Sequence, residues 1–270
     1  MLRSVNQMIG YRLNATDDEL GKCRDLLFDD RWWTIRHLLA DTGTWMSGKQ
    51  VLISPMMILK PDWESRKIFL KVPKKTVENC PVSSADEPVS REYEKKMALY
   101  YGYPGYWAGE SLWGPAASPA ALEQIASQVA EKKAKTKPEE TEDPEESNHL
   151  RSFDEVKGYR IHAADGSIGH VDDFIVDDET WALRHVVVDT GNWLPGRRVL
   201  LSLDWAKDVD WDEQSLTMDL TKDEIKNSPE FDPEKPVNKE YETRLYDFYG
   251  RPVEHNINKR IQQQIANPFI

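Results

Sequence analysis

Apolar residues in this chain fall into short runs, five to seven residues long, that recur at intervals of about ten. Residues 171–177 (VDDFIVD), 183–189 (LRHVVVD), 198–203 (RVLLSL) and 215–220 (SLTMDL) carry β-branched and large apolar side chains between turn-forming residues. Such runs are too short for amphipathic helices and predict β-strands, spaced as in a small sandwich or barrel. Asp165-Gly166-Ser167 and Asp177-Asp178-Glu179 supply turns. The period then changes. Lys222-Asp223-Glu224 opens a short helical segment that stops before Pro229, and 236–249 predicts a second helix, with Pro236 in its first turn and Gly250 at its end. Residues 88–101 repeat that pattern, and 119–134 predicts a helix with Leu122, Ile125 and Val129 on one face.

The same pattern occurs twice. Displaced by 148 residues, the chain matches itself without a gap. LRS at 2–4 returns at 150–152, GYR at 10–12 at 158–160, and DTG at 41–43 at 189–191. Trp33, Arg36, His37, Trp45 and Ser54 meet Trp181, Arg184, His185, Trp193 and Ser202, and EYE at 92–94 meets EYE at 240–242. About a third of positions agree over roughly a hundred residues, which predicts two copies of one fold. The repeat sets expected boundaries: repeat one over 1–105, an aromatic, helical and acidic linker over 106–149, repeat two over 150–254, and a tail over 255–270.

Two Asp-Thr-Gly strings raise aspartic-protease chemistry, in which paired carboxylates share a proton and activate water. That fold also needs an apolar-apolar-glycine strand behind each loop, yet no glycine occurs over 49–101 or 197–249. The residue after the string is Thr44 in one copy and Asn192 in the other. A tight turn explains the string better, with Gly191 at positive φ and Asp189 bonding turn amides.

Composition narrows the field. The chain has 270 residues, 39 % hydrophobic and 30 % charged, as expected for a folded rather than disordered protein. The longest apolar run, over 51–59, is broken by Ser54 and Pro55, so no membrane insertion is expected, and the N-terminus lacks a signal-peptide pattern, making the cytoplasm the expected location. Cys23 and Cys80 are too few for a disulfide framework or zinc site. The net charge of −12 is uneven: +2 over 1–105, −5 over 106–149, −11 over 150–254 and +2 over 255–270. An acidic second half repels phosphate backbones, so no direct DNA binding is expected.

Together, LRS…GYRI…ADGSIGHVDDFIVDDETWALRHVVVDTGNWLPGRRVLLS at 150–202 and its counterpart at 2–54 resemble the PRC-barrel family, known from the cytoplasmic domain of the photosynthetic reaction centre H subunit and the C-terminal domain of the 16S rRNA-processing factor. Copy two is the cleaner match; copy one has Asp18-Glu19 where the turn prefers Gly-Ser. The resemblance implies a mainly β fold: two tandem small PRC-type β-barrels, each followed by short helices. It also implies a non-enzymatic adaptor or assembly module that binds a protein partner or itself. Accessory work in ribosome or RNA maturation is the alternative, and an aspartic hydrolase the remote one.

Other groupings are weak. Asp208, Asp210, Asp212 and Asp219 fit positions 1, 3, 5 and 12 of a calcium loop, but Glu213 replaces the required glycine, so a solvated acidic turn is expected. His37 and His185 lack metal or triad partners in sequence, and a structural role with a ring nitrogen bonded to backbone is expected. No phosphate loop or dinucleotide motif occurs, so no cofactor is expected. The aromatic residues Tyr103, Tyr106, Trp107 and Trp113, with Trp45 and Trp193 at the matched turns, are the candidate partner-binding residues. For the linker aromatics, packing against the chain's own barrel is the simpler expectation.

Overall fold

A computed structural model describes residues 1–43, 49–81, 83–84, 89–107, 109–133, 149–191, 193–233 and 235–251. The strands of the first half are β1 (Leu2–Ser4), β2 (Arg12–Asn14), β3 (Glu19–Asp29), β4 (Thr34–Asp41), β5 (Lys49–Ile53), β6 (Ile58–Asp62), β7 (Lys67–Leu70) and β8 (Ser83–Ser84). Those of the second are β9 (Leu150–Ser152), β10 (Arg160–Ala163), β11 (Gly166–Asp177), β12 (Leu183–Asp189), β13 (Arg198–Ser202), β14 (Ala206–Asp210) and β15 (Ser215–Met218). The helices are α1 (Val5–Met8), α2 (Lys74–Glu78), α3 (Arg91–Tyr101), α4 (Pro119–Lys133), α5 (Phe153–Val156), α6 (Lys222–Lys226) and α7 (Lys239–Phe248). None is long and apolar enough to cross a membrane among the described residues.

The chain is mainly β, in two curled, barrel-like sheets. One orders its strands β13-β12-β11-β10-β15-β14, with β1 also on β11; the other runs β6-β7-β2-β3-β4-β5-β8, with β9 on β3. β10 runs parallel to β15 and β2 parallel to β7; the remaining pairs are antiparallel. The curl follows from the connections. β13 and β14 stand at opposite ends of their strand order yet are consecutive, joined by one 3₁₀ turn over Leu203–Trp205; Pro55–Met57 likewise joins β6, at one end of its order, to β5, next to the short β8 at the other. The shared serines explain these corners, since Ser54 Oγ accepts from the Met56 amide at 3.3 Å and Ser202 Oγ from the Asp204 amide at 3.2 Å. Bringing the sheet's ends together reduces exposed edge and encloses a core of Leu13, Ile35, Leu38, Leu52 and Ile68 in one sheet, and Ile161, Phe174, Val186, Leu200 and Met218 in the other.

The chain divides into two compact units, and their boundaries differ from the repeat's. Unit 1 comprises Met1–Asn6, Phe153–Asp178 and Ala182–Ile270; unit 2 comprises Gln7–Ser152 and Glu179–Trp181. The first strand of each repeat therefore completes the sheet built from the other repeat: β1 pairs with β11 in unit 1, and β9 with β3 in unit 2. Residues 106–107 and 109–133, expected in a linker, belong to unit 2. The acidic stretch 137–147 and the tail 255–270 lie outside the described residues.

Local signals explain the remaining differences. α3 and α7 begin at Arg91 and Lys239, three residues after the prolines expected to start them, because Ser90 Oγ and Asn238 Oδ1 accept the Tyr93 and Tyr241 amides at 3.2 and 2.8 Å. Gly102 and Gly250, at φ 72° and 60°, do follow the helices. Trp33 and Trp181 both lie at positive φ (48° and 60°), a strained backbone for a bulky side chain, and both are buried.

Candidate functional site

The Asp-Thr-Gly strings are turns that lock a sheet. Asp189 Oδ1 accepts the Gly191 amide at 2.8 Å, and Asp41 Oδ1 accepts that of Gly43 at 3.0 Å. Thr190 is buried and its hydroxyl approaches the carbonyls of Leu194 and Arg197, at 2.7 and 2.6 Å. Both aspartates are exposed, and they belong to different units. Each Asp-Thr-Gly also dictates a glycine on the neighbouring strand. A Cβ at Gly169 (φ 150°) would lie 2.0 Å from the Asp189 carbonyl oxygen, and one at Gly21 (φ 139°) 2.0 Å from that of Asp41. The glycine of the neighbouring strand and the motif aspartate are thus two sides of one close backbone approach.

Unit 2 buries a cluster of charged groups. His37 Nε2 and Glu94 Oε1 stand 2.8 Å apart, both side chains 3 % exposed. Arg91 and the Tyr106 hydroxyl donate to the same carboxylate, at 2.7 and 2.8 Å. Burial alone would raise the Glu94 pKa, but His37, Arg91 and Tyr106 outweigh it and hold the carboxyl below its ordinary value. The hydrogen-bond acceptor facing this His37 nitrogen is therefore a carboxylate, not the backbone group expected from sequence. Next to it, Arg36 donates to the Leu112 carbonyl at 2.6 Å, lies 3.5 Å from Asp29, and has Tyr106 and Trp113 against its guanidinium, their ring centroids 3.9 and 4.8 Å away. In unit 1 the matched pair is looser: His185 Nε2 lies 3.8 Å from Glu242 Oε1. Arg36, His37, Glu94, Arg91 and Tyr106 are all at most 9 % exposed, so this constellation presents no surface to a substrate.

The first strand of each repeat is gripped by aspartates. Ser4 donates to Asp173, whose Oδ1 also accepts the Asn6 amide at 2.9 Å and the Phe174 amide at 2.8 Å. Arg3 Nε lies 3.3 Å from Asp178, and the terminal ammonium of Met1 pairs with that carboxylate. In unit 2 the serine and arginine contacts recur: Ser152 donates to Asp25 at 2.5 Å, and Arg151 Nε to Asp30 at 2.9 Å. Backbone bonds close each strand, Asp178 N to Met1 O at 3.0 Å and Asp30 N to His149 O at 2.8 Å.

The residues nominated from sequence scatter. Trp113 is fully buried, its indole nitrogen donating to the Thr180 carbonyl at 2.7 Å within unit 2, and Tyr106 is buried in the charged cluster. Neither offers a surface to a partner, because each is spent on Arg36. Trp107 is half-buried against Arg91, Tyr103 is half-buried and stacks on Tyr101 at 6.2 Å, and Trp193 is half-buried with Lys222 Nζ 5.2 Å from its ring. Trp45 lies outside the described residues. Asp208, Asp210, Asp212 and Asp219 are all exposed; Asp210 accepts the Glu213 amide at 2.8 Å and Asp219 pairs with Arg251 at 3.2 Å. Asp208 and Asp210 belong to β14, and no group of three or more His, Cys, Asp or Glu among the described residues is placed to hold a metal ion.

Two features escaped the sequence reading. The sequence places Asp178 in a turn and Asp173 in a strand and gives Asp25 and Asp30 no role, although the LRS strings these aspartates hold are visible as a repeat. A cavity of about 840 Å³ in unit 1 also went unforeseen. It is lined by Pro229, Phe231, Pro236, Tyr241, Arg244 and Phe248.

No curated protein matches the chain. Residues 149–225, most of the sheet of unit 1 and the β9 strand before it, match the model of the PRC-barrel domain.

Proposed function

We propose that the chain is a non-enzymatic interaction module, an adaptor built from two PRC-barrel-like units that binds another protein. The PRC-barrel domain is in general a protein-interaction and assembly module, and residues 149–225 match it. The observation that carries the reading is how the polar chemistry is used. His37 and Arg91 are bonded to the buried Glu94 carboxylate and Arg36 to Asp29 and the Leu112 carbonyl, while Asp41 and Asp189 bond their own turns. Buried ionic groups of this kind specify a fold rather than a reaction. The second repeat is proposed as a PRC-barrel unit by its match, and the first by its repeat of the same letters and turns.

Capture with the full chain from the lysate of cells that express it tests the proposal. A stoichiometric protein partner is expected, retained by Asp41→Asn and Asp189→Asn. Acid-pH proteolysis by the purified chain, abolished by either substitution, would overturn it.

A further inference from the structure

Leu-Arg-Ser is too short to add much core, yet it is written twice and seated twice. On β11 the strand pairs Leu2 with Asp177, Arg3 with Val176 and Ser4 with Ile175. On β3 it pairs Leu150 with Asp29, Arg151 with Phe28 and Ser152 with Leu27. Each seat selects its strand the same way: a backbone ladder, a carboxylate for the arginine (Asp178 or Asp30) and a buried carboxylate for the serine (Asp173 or Asp25). This is strand addition to a sheet edge, in which main-chain bonds give affinity and side-chain partners give specificity.

In neither case does the seat take the strand of its own repeat. β1 begins repeat one and sits on the sheet of repeat two; β9 does the reverse. Covalent continuity into the neighbouring strand of the same repeat is therefore not what holds it. The seat recognises three residues and their charges, and a second copy of the chain carries the same three residues. Exchange of identical elements leaves every contact intact and changes only the connection and the local concentration of the strand.

We propose that the Leu-Arg-Ser strand is an exchangeable docking segment, and that the seat on β11 accepts it from a second copy of this chain to give a strand-swapped dimer. This deepens the interaction-module reading by naming one partner, and its test needs no foreign protein. The full-length chain is prepared with Leu2→Cys, with Asp177→Cys, and with both, these positions facing each other in the ladder. The double variant, oxidised at low concentration, is expected to close a disulfide within one chain. Differently tagged single variants, mixed and then oxidised, are expected to form a disulfide between chains whose yield rises with concentration. Adding Asp173→Ala and Asp178→Ala to the acceptor is expected to lower that yield at least about tenfold, since the bonds of Ser4 and Asn6 to one carboxylate and of Met1 and Arg3 to the other are lost. A pairing of Leu2→Cys with Leu99→Cys, an exposed position elsewhere, gives the background. Single variants that stay at background at every concentration, while the double variant closes, would show a strand committed to its own chain and overturn the proposal. Failure of the double variant to close would overturn it as well, because the seat would not hold the strand. Either result leaves capture of a foreign partner standing or falling by itself.

Discussion

Single residues in this chain take their identity from backbone geometry and burial. Gly169→Ala puts a methyl group into the Asp189 carbonyl at a φ that only glycine adopts readily. A loss of about 2–4 kcal/mol is expected in urea unfolding. Gly191→Ala is the control, at φ 52° with open space around it, and about 1 kcal/mol is expected there. Asp173 supplies a second case. Burial pushes its pKa up to about 6, against the lowering effect of bonds from Ser4, Asn6 and Phe174, with the neighbouring Asp172 adding to the rise. The folded state therefore holds this proton more tightly than the unfolded chain. Its stabilising contribution is complete below the ordinary carboxylate pKa and is lost as pH rises through about 6. The stability of the parent chain relative to Asp173→Asn is expected to increase between pH 7 and pH 4, read from unfolding curves at each pH. In the buried cluster, Glu94→Ala leaves Arg91 and His37 without their shared carboxylate and is expected to cost about 3–5 kcal/mol by the same measurement.

Elements were legible where the pattern was local. Strand spacing, the Asp-Thr-Gly turns and the helix of 119–133 could be read from alternation, turn residues and period. Helix starts were misplaced because a proline and a capping side chain compete for the same role, and Ser90 and Asn238 prevail by accepting an orphan amide. β14 was missed because its letters, AKDVD, are mostly polar; it is a half-exposed strand at the end of the sheet order, where alternation is weak. The buried polar cluster was not legible, since Glu94 and Tyr106 lie more than fifty residues from the Arg36-His37 pair and only the fold brings them together. The strand of residues 150–152 gives a prediction at this scale. Asp25→Ala removes the acceptor for Ser152 and for the Leu26 amide, and faster amide exchange is expected across 26–29 and 150–152.

Over the whole molecule, the repeat showed that two copies of a fold exist but not how the chain is shared between them. Identity at 2–4 and 150–152 reads the same whether each strand stays with its own copy or joins the other. Only the pairing decides it, and the pairing gives unit 1 the first six residues of the chain. Deleting residues 1–4 is therefore expected to raise amide exchange at 174–177, about 170 residues away, while leaving 27–29 protected by β9. The opposite pattern, loss of protection confined to 7–43, would show each strand serving its own repeat.

This division of the chain sets an order of events during translation. The sheet of unit 2 has no last strand until residues 150–152 have emerged, and residues 2–4 have no sheet to join until residues 175–177 follow. Both halves thus wait on late arrivals, and contacts this distant in sequence form slowly. Residues 2–4 wait for partners made more than 170 residues later.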